Sequence, residues 1–201
     1  MLVKARRRYA QFYGETCHLY SDFAFTSTAS AQHPNQISED LAHRDKSIHW
    51  PEAFDPRTAS VFAHNELLIQ ADCHRVWSRL LDVTDWPNWF VLTKDVAIDG
   101  SDKTVRHGTV IRLKIFGSLI ISRMDEFVPD SRLSWIPQAL DETSPSHYHT
   151  WHFVPEAGGC RVITEETGIG PNDVKTPTAN SRLMHREHDL WLASLQWTSE
   201  K

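Results

Sequence analysis

Residues 65–89 read NELLIQADCHRVWSRLLDVTDWPNW, and this stretch decides the fold. Leu67, Leu68 and Ile69 end a short apolar strand that enters a turn at Ala71-Asp72-Cys73. Val76, Trp77, Leu80 and Leu81 then recur at steps that put apolar side chains on one face of a helix. Asp72 stands where its carboxylate can accept from the free N–H groups of a first helical turn, so a helix is predicted from about residue 74 to 81. A corner of rings, Trp86, Pro87 and Trp89, closes the stretch.

Working outward, residues 61–70 form the first predicted strand. Further strands are predicted at 91–98, 108–115, 119–128, 132–137, 146–154 and 159–168. Turn residues separate them: Asp99-Gly100, Phe116-Gly117-Ser118, Pro129-Asp130 and the PEAGG run at 155–159. A polar loop is expected over 138–145 and a loop with two prolines over 169–178. Residues 179–198 carry helical periodicity, with Leu183, Met184, His188, Trp191, Leu192 and Leu195 at three- and four-residue steps. The order is strand, two short helices, about six antiparallel strands and one long helix. Such a sheet has one apolar face to cover, and a single helix lying in its concavity leaves a hollow.

This order, together with EFVPDSRLSW (126–135), His149-x-Trp151-x-Phe153-x-Pro155, TEETGIG (164–170) and HREHDLWLASL (185–195), resembles the START-like (SRPBCC) superfamily in its polyketide cyclase/dehydrase branch. The resemblance covers roughly residues 60–198. It implies an α+β helix-grip fold: a curved antiparallel sheet of about six to seven strands around a long C-terminal helix, with an internal cavity. It also implies a small hydrophobic ligand. The activity implied is a cofactor-free cyclase or dehydratase acting on a polyketide- or terpenoid-like intermediate of secondary metabolism. A non-catalytic carrier or sensor of a lipid is the alternative, and relatives with accessory roles give a third reading. Residues 1–58 have no counterpart in this pattern and are read as an N-terminal extension; residues 59–201 are the ligand-binding domain.

Within the extension, residues 26–47 are rich in Ser, Thr, Ala, Gln and Asn and read as a linker or surface coil. Residues 1–25 carry Tyr9, Phe12, Tyr13, Leu19, Tyr20, Phe23 and Phe25, which suit a helix docking on the domain or on a second copy, as in a homodimer. Residues 50–56, with Trp50, Phe54 and two prolines, are expected to lie extended across the domain surface.

Composition narrows the partners. The 201 residues are 40% hydrophobic, enough for a sizeable core, and eight are tryptophan. A net charge of −5 argues against nucleic acid. No apolar run is long enough to cross a membrane as a helix, and the basic start KARRRY is not followed by a signal-like apolar segment. Three scattered cysteines, Cys17, Cys73 and Cys160, are read as reduced thiols of a cytoplasmic protein.

Strand alternation selects the candidate site. In 147–153, His149, Trp151 and Phe153 share a face with His147, and the two large rings place that face inward. On the last helix, Met184, His188 and Trp191 share a stripe, so His149 and His188 face one hollow from two walls and are the expected proton-transfer residues. Ligand contacts are expected from Trp89, Phe90, Trp135, Trp151, Phe153, Met184 and Trp191. Glu166 is a candidate acid if the face it shares with Val162 and Thr164 is the inner one. Arg123 and Asp125 share a face with Ile121 and Phe127; if that face is inner they are candidates to pair beneath the ligand, and otherwise they belong to the rim. Two histidine pairs at ligand-like spacing, His147/His149 and His185/His188, raise zinc, but no cysteine joins them and twelve histidines make chance pairs common. Neither a metal nor a cofactor is therefore expected.

Overall fold

The computed structural model describes residues 36–101, 103–115, 117–139 and 145–201. The expected docking helix and dimer contact of residues 1–25 lie outside them. Seven strands form one antiparallel sheet: β1 (Val61–Ile69), β2 (Thr93–Ile98), β3 (Val110–Ile115), β4 (Ser118–Val128), β5 (Arg132–Ala139), β6 (His147–Glu156) and β7 (Gly159–Gly168). Their order across the sheet is β1-β7-β6-β5-β4-β3-β2. The first strand therefore pairs with the last, the other neighbours are consecutive in sequence, and β1 and β2, which are joined through helices, form the two edges of the sheet. The helices are α1 (Gln36–His43), α2 (Cys73–Leu81), α3 (Trp86–Trp89), α4 (Pro171–Lys175) and α5 (Pro177–Ser199). Residues 36–43 are thus helical where a surface coil was expected, and α4 occupies part of the expected loop at 169–178.

Local chemistry sets these elements. Asp72 caps α2 by accepting from the Arg75 N–H at 2.9 Å. Val76, Trp77 and Leu80 then bury one face of the helix. The Trp86 indole N–H donates to the Leu80 carbonyl at 2.9 Å, which ties the aromatic corner to the helix end. The 155–159 turn needs glycine at its last position: a Cβ on Gly159 would sit 2.0 Å from the Ile69 carbonyl oxygen. That approach lets β1 run beside β7 over the whole of its length.

α5 covers the inner face of the β1-β7-β6 side. Its Trp191 ring lies 4.3 Å from Phe90, 5.2 Å from Trp86, 5.4 Å from Trp151 and 5.8 Å from Trp135, centroid to centroid. This cluster is the centre of the core.

The outer face of the same strands is covered too. Trp50 packs on Phe62 and Tyr148, and Phe54 packs on Tyr148. The Asp45 N–H donates to Glu165 Oε1 at 2.6 Å, and its carboxylate is bonded to His152. Tyr148, Thr150, Glu165 and Thr167 are therefore buried although they point away from α5. Alternation along β6 and β7 sorts side chains between two buried layers there, not between core and water.

The reading of the cysteines is corrected. Cys73, at the start of α2, is disulfide-bonded to Cys160, at the start of β7. Strand pairing carries Cys160 opposite Ile69, four residues before Cys73, so the bond closes a junction that β1 and β7 have already formed.

Candidate functional site

Between the inner sheet face and α5 lies a cavity of about 160 Å³. Its walls are aliphatic and aromatic: Ile111, Leu113 and Ile115 from β3, Ile120 and Met124 from β4, Trp135 and Pro137 from β5, with Trp86 and Trp191. One end is polar, bordered by His147, His149, Glu166 and Glu187. The cavity adjoins a wider vestibule of about 570 Å³ that shares Ile115, Ile120, His147, Glu166 and Glu187 with it, and that Met184, Asp173 and Lys175 also border. A void of about 150 Å³ accepts a benzene ring, so the inner chamber holds roughly one six-membered ring. Anything larger must extend into the vestibule.

The polar end is built from four elements. His149 on β6 is buried, with Nε2 2.7 Å from Thr164 Oγ1 and Nδ1 3.6 Å from Glu166 Oε2. His188 on α5 is fully buried, with Nε2 3.1 Å from Glu166 Oε2 and Nδ1 3.1 Å from Asn65 Oδ1 on β1. The two imidazole centroids are 4.8 Å apart. Burial pushes the His149 ring down to about 3, so it is neutral. Burial alone would raise the Glu166 carboxyl, but the His149 and His188 rings beside it prevail and hold it down to about 2. Burial and the nearby Glu166 charge push the Glu187 carboxyl up to about 8.

His149, Glu166, Trp135 and Trp191 border the inner cavity, and Met184 borders the vestibule. His188 stands one layer back, reaching the cavity through Glu166. Trp89, Phe90, Trp151 and Phe153 are buried but do not border the cavity among the described residues: Phe90 and Trp151 pack beneath Trp191, Phe153 packs on Trp77, and Trp89 lies beside Phe90. Arg123 and Asp125 are on the outer face. A register shift between Met124 and Phe127 lets Phe127 turn inward to Trp77 while Asp125 stays outside and accepts from the Tyr148 hydroxyl at 2.7 Å. Strict alternation places Asp125 and Phe127 together, and the bulge breaks that rule.

Three residues of the polar end were not anticipated. Glu187 lies three residues after Met184 and four before Trp191, so it belongs to their stripe, which the sequence does signal. Asn65 alternates with Ala63 and Leu67, which marks the inner face of β1. Thr164 follows once Glu166 is known to face inward.

No family model matches the sequence, and no curated protein matches it. Solved structures do. A hypothetical protein of Helicobacter pylori superposes with a TM-score of 0.68 at 21% identity, covering 78% of this chain and 98% of that one. The aromatase/cyclase ZhuI of Streptomyces sp. R1128 gives 0.55 at 14% identity, covering 69% and 93%. The di-domain aromatase/cyclase StfQ of the steffimycin pathway gives 0.59 at 14% identity, covering 70% of this chain and 50% of that one. The chain has the helix-grip fold. At such identities the likeness extends to architecture, and function must be argued from the site.

Proposed function

We propose that the protein binds a small, largely apolar polyketide- or terpenoid-like molecule with one ring in the inner cavity, and catalyses its cyclisation or dehydration. One observation carries this reading: an apolar chamber sized for a ring ends in His149, Glu166 and Glu187, which are able to exchange protons. A simple carrier needs only the apolar walls and a polar mouth. The presence of aromatase/cyclases among proteins of the same fold supports the substrate class.

The chemistry follows from the layout. The walls hold a reactive chain folded against itself, and fixing such a geometry can by itself lower a barrier by several kcal/mol. At the polar end one group takes the proton from a carbon beside a carbonyl, and a second gives a proton to the departing hydroxyl, so that water leaves. Glu166 and Glu187 reach the cavity from β7 and α5, on different walls, as two such steps require. Two measurements test the reading. Titration with 2-naphthol should quench the tryptophan fluorescence saturably, because Trp86, Trp135 and Trp191 border the cavity. An aryl-bearing β-hydroxyacyl thioester should lose water on incubation with the protein, followed by mass spectrometry, and Glu187→Gln should abolish that loss while leaving naphthol binding intact. Naphthol binding without turnover would identify a carrier; no binding would reject the cavity as a ligand site.

A further inference from the structure

The polar end of the cavity brings two imidazole nitrogens and one carboxylate oxygen together. The Asn65 side-chain amide has a fixed orientation, since its Nδ2 is 2.7 Å from Asp189 Oδ1 and 3.4 Å from the His185 carbonyl, both of which can only accept. Asn65 Oδ1 therefore faces His188 Nδ1, which must carry the hydrogen and donate. The other ring nitrogen, His188 Nε2, faces Glu166 Oε2 at 3.1 Å. His149 repeats the pattern. Thr164 Oγ1 spends its own proton on the Thr150 carbonyl at 3.2 Å, so it accepts from His149 Nε2 at 2.7 Å. That leaves His149 Nδ1 facing the same carboxylate oxygen at 3.6 Å. Two ring nitrogens and one carboxylate oxygen thus converge in a buried place.

We infer that His149, Glu166 and His188 form a binding site for one divalent first-row transition-metal cation. One donor atom from each residue lies within 4.8 Å of the others. Bonds of about 2.0–2.2 Å to one ion put neighbouring donor atoms roughly 3.0–3.5 Å apart, close to the two separations found here. Two imidazoles and one carboxylate suit zinc or iron(II) rather than calcium or magnesium. Each imidazole is fixed through its far nitrogen, by Thr164 and by Asn65, the arrangement that orients metal-ligating histidines. His149 and Glu166 also border the cavity, so an ion held by three protein atoms keeps coordination positions open toward a bound molecule. There it would polarise a ligand oxygen. Neither histidine pair suggested by sequence spacing forms this site. His185 turns instead to Asp40 on α1, and His147 to Ser146 and Asp173. The ligands come from β6, β7 and α5.

This inference goes beyond the proposed reaction and is tested without any organic ligand, so each can fail alone. The full chain is stripped with a chelator and titrated with cobalt(II) chloride, following the visible d–d absorption, and with zinc chloride by calorimetry. One ion per chain is expected. Glu166→Gln and His188→Ala should each weaken binding by more than about 100-fold, and Asn65→Ala by about 10- to 100-fold with an unchanged circular dichroism spectrum. His74→Ala, at an exposed histidine, should leave it unchanged. X-ray absorption of the zinc-loaded wild-type chain should show two imidazoles, oxygen ligands and no sulfur, which keeps the inference testable should the ligand variants fail to fold. No stoichiometric binding, equal affinity in Glu166→Gln and His188→Ala, or a sulfur ligand would overturn it; a proton shared between Glu166 and His188 would then be what joins them.

Discussion

Severing the Cys73–Cys160 bond should destabilise the protein by about 4–5 kcal/mol. The two cysteines are 87 residues apart in sequence, so in the unfolded chain the bond closes a loop of that size. The chain-entropy relation gives about −15 cal/mol/K for such a loop, or ~4.6 kcal/mol at 25 °C. Little in the native state opposes this. Both cysteines belong to the core cluster that includes Ile69 and Val76, where a reduced thiol packs as a small hydrophobic group. For a chain of this length each kcal/mol moves the melting temperature by about 2–4 °C, so a fall of roughly 10–18 °C is expected. The assay is thermal unfolding by circular dichroism with and without a phosphine reductant, beside Cys73→Ser and Cys160→Ser. Thiol titration of the unreduced protein in denaturant should find no free thiol from Cys73 or Cys160. Three free thiols, or a melting temperature that reductant moves by less than about 2 °C, would refute the reasoning. The bond also bears on location. Disulfides of this kind persist in oxidising compartments, which argues against the reducing setting that three scattered cysteines suggest.

Ile120→Trp puts a ring where the inner chamber meets the vestibule; it should abolish 2-naphthol quenching while changing stability in urea by less than about 1.5 kcal/mol, because the added atoms enter empty space. Tyr148→Phe removes a hydroxyl held at 2.7 Å by both Asp125 and Ser134, and should cost about 1.5–3 kcal/mol with ligand binding unaltered, since the bond lies on the outer face. Burial works to raise the Asp173 carboxyl, but His147, Asn180 and the Gly170 N–H prevail and hold it below its ordinary value. Its contribution to stability is therefore complete above the unfolded value of about 3.9 and is lost as pH falls below it; Asp173→Asn should flatten that acid limb in pH-dependent denaturation.

Much of the fold is legible because its signals are local. The Asp72 cap, the glycine turns and the two-residue alternation each act over a few residues, and the helix-grip order follows from their sequence. What escapes is set by contacts between distant segments. Tyr148 and Thr150 look like the wet face of β6 until Trp50 and Phe54, about 95 residues earlier, close over it. Arg123 and Asp125 share a face as alternation says, but a bulge after Met124 turns Phe127 away from that face and so removes the sign that it points inward. Cys73 and Cys160 meet only because β1 pairs with β7. His149 and His188 do converge, as alternation and helical spacing imply, but the carboxylate between them is settled only when the buried outer layer claims Glu165 for His64 and leaves Glu166 inward.

The second buried layer, behind β1, β7 and β6, divides the sheet into unequal halves. Where β6 and β7 hold His149 and Glu166, the backbone is covered on both faces. The outer faces of β2 and β3 carry Lys94, Arg112 and Lys114 in water, so the strands that supply Ile111 and Leu113 have room to bow. Changes in the size and shape of the cavity can then be accommodated by substitutions in the aliphatic wall, with the polar end left undisturbed. A single scaffold can in this way vary the shape of its cavity while keeping the polar groups at its end fixed.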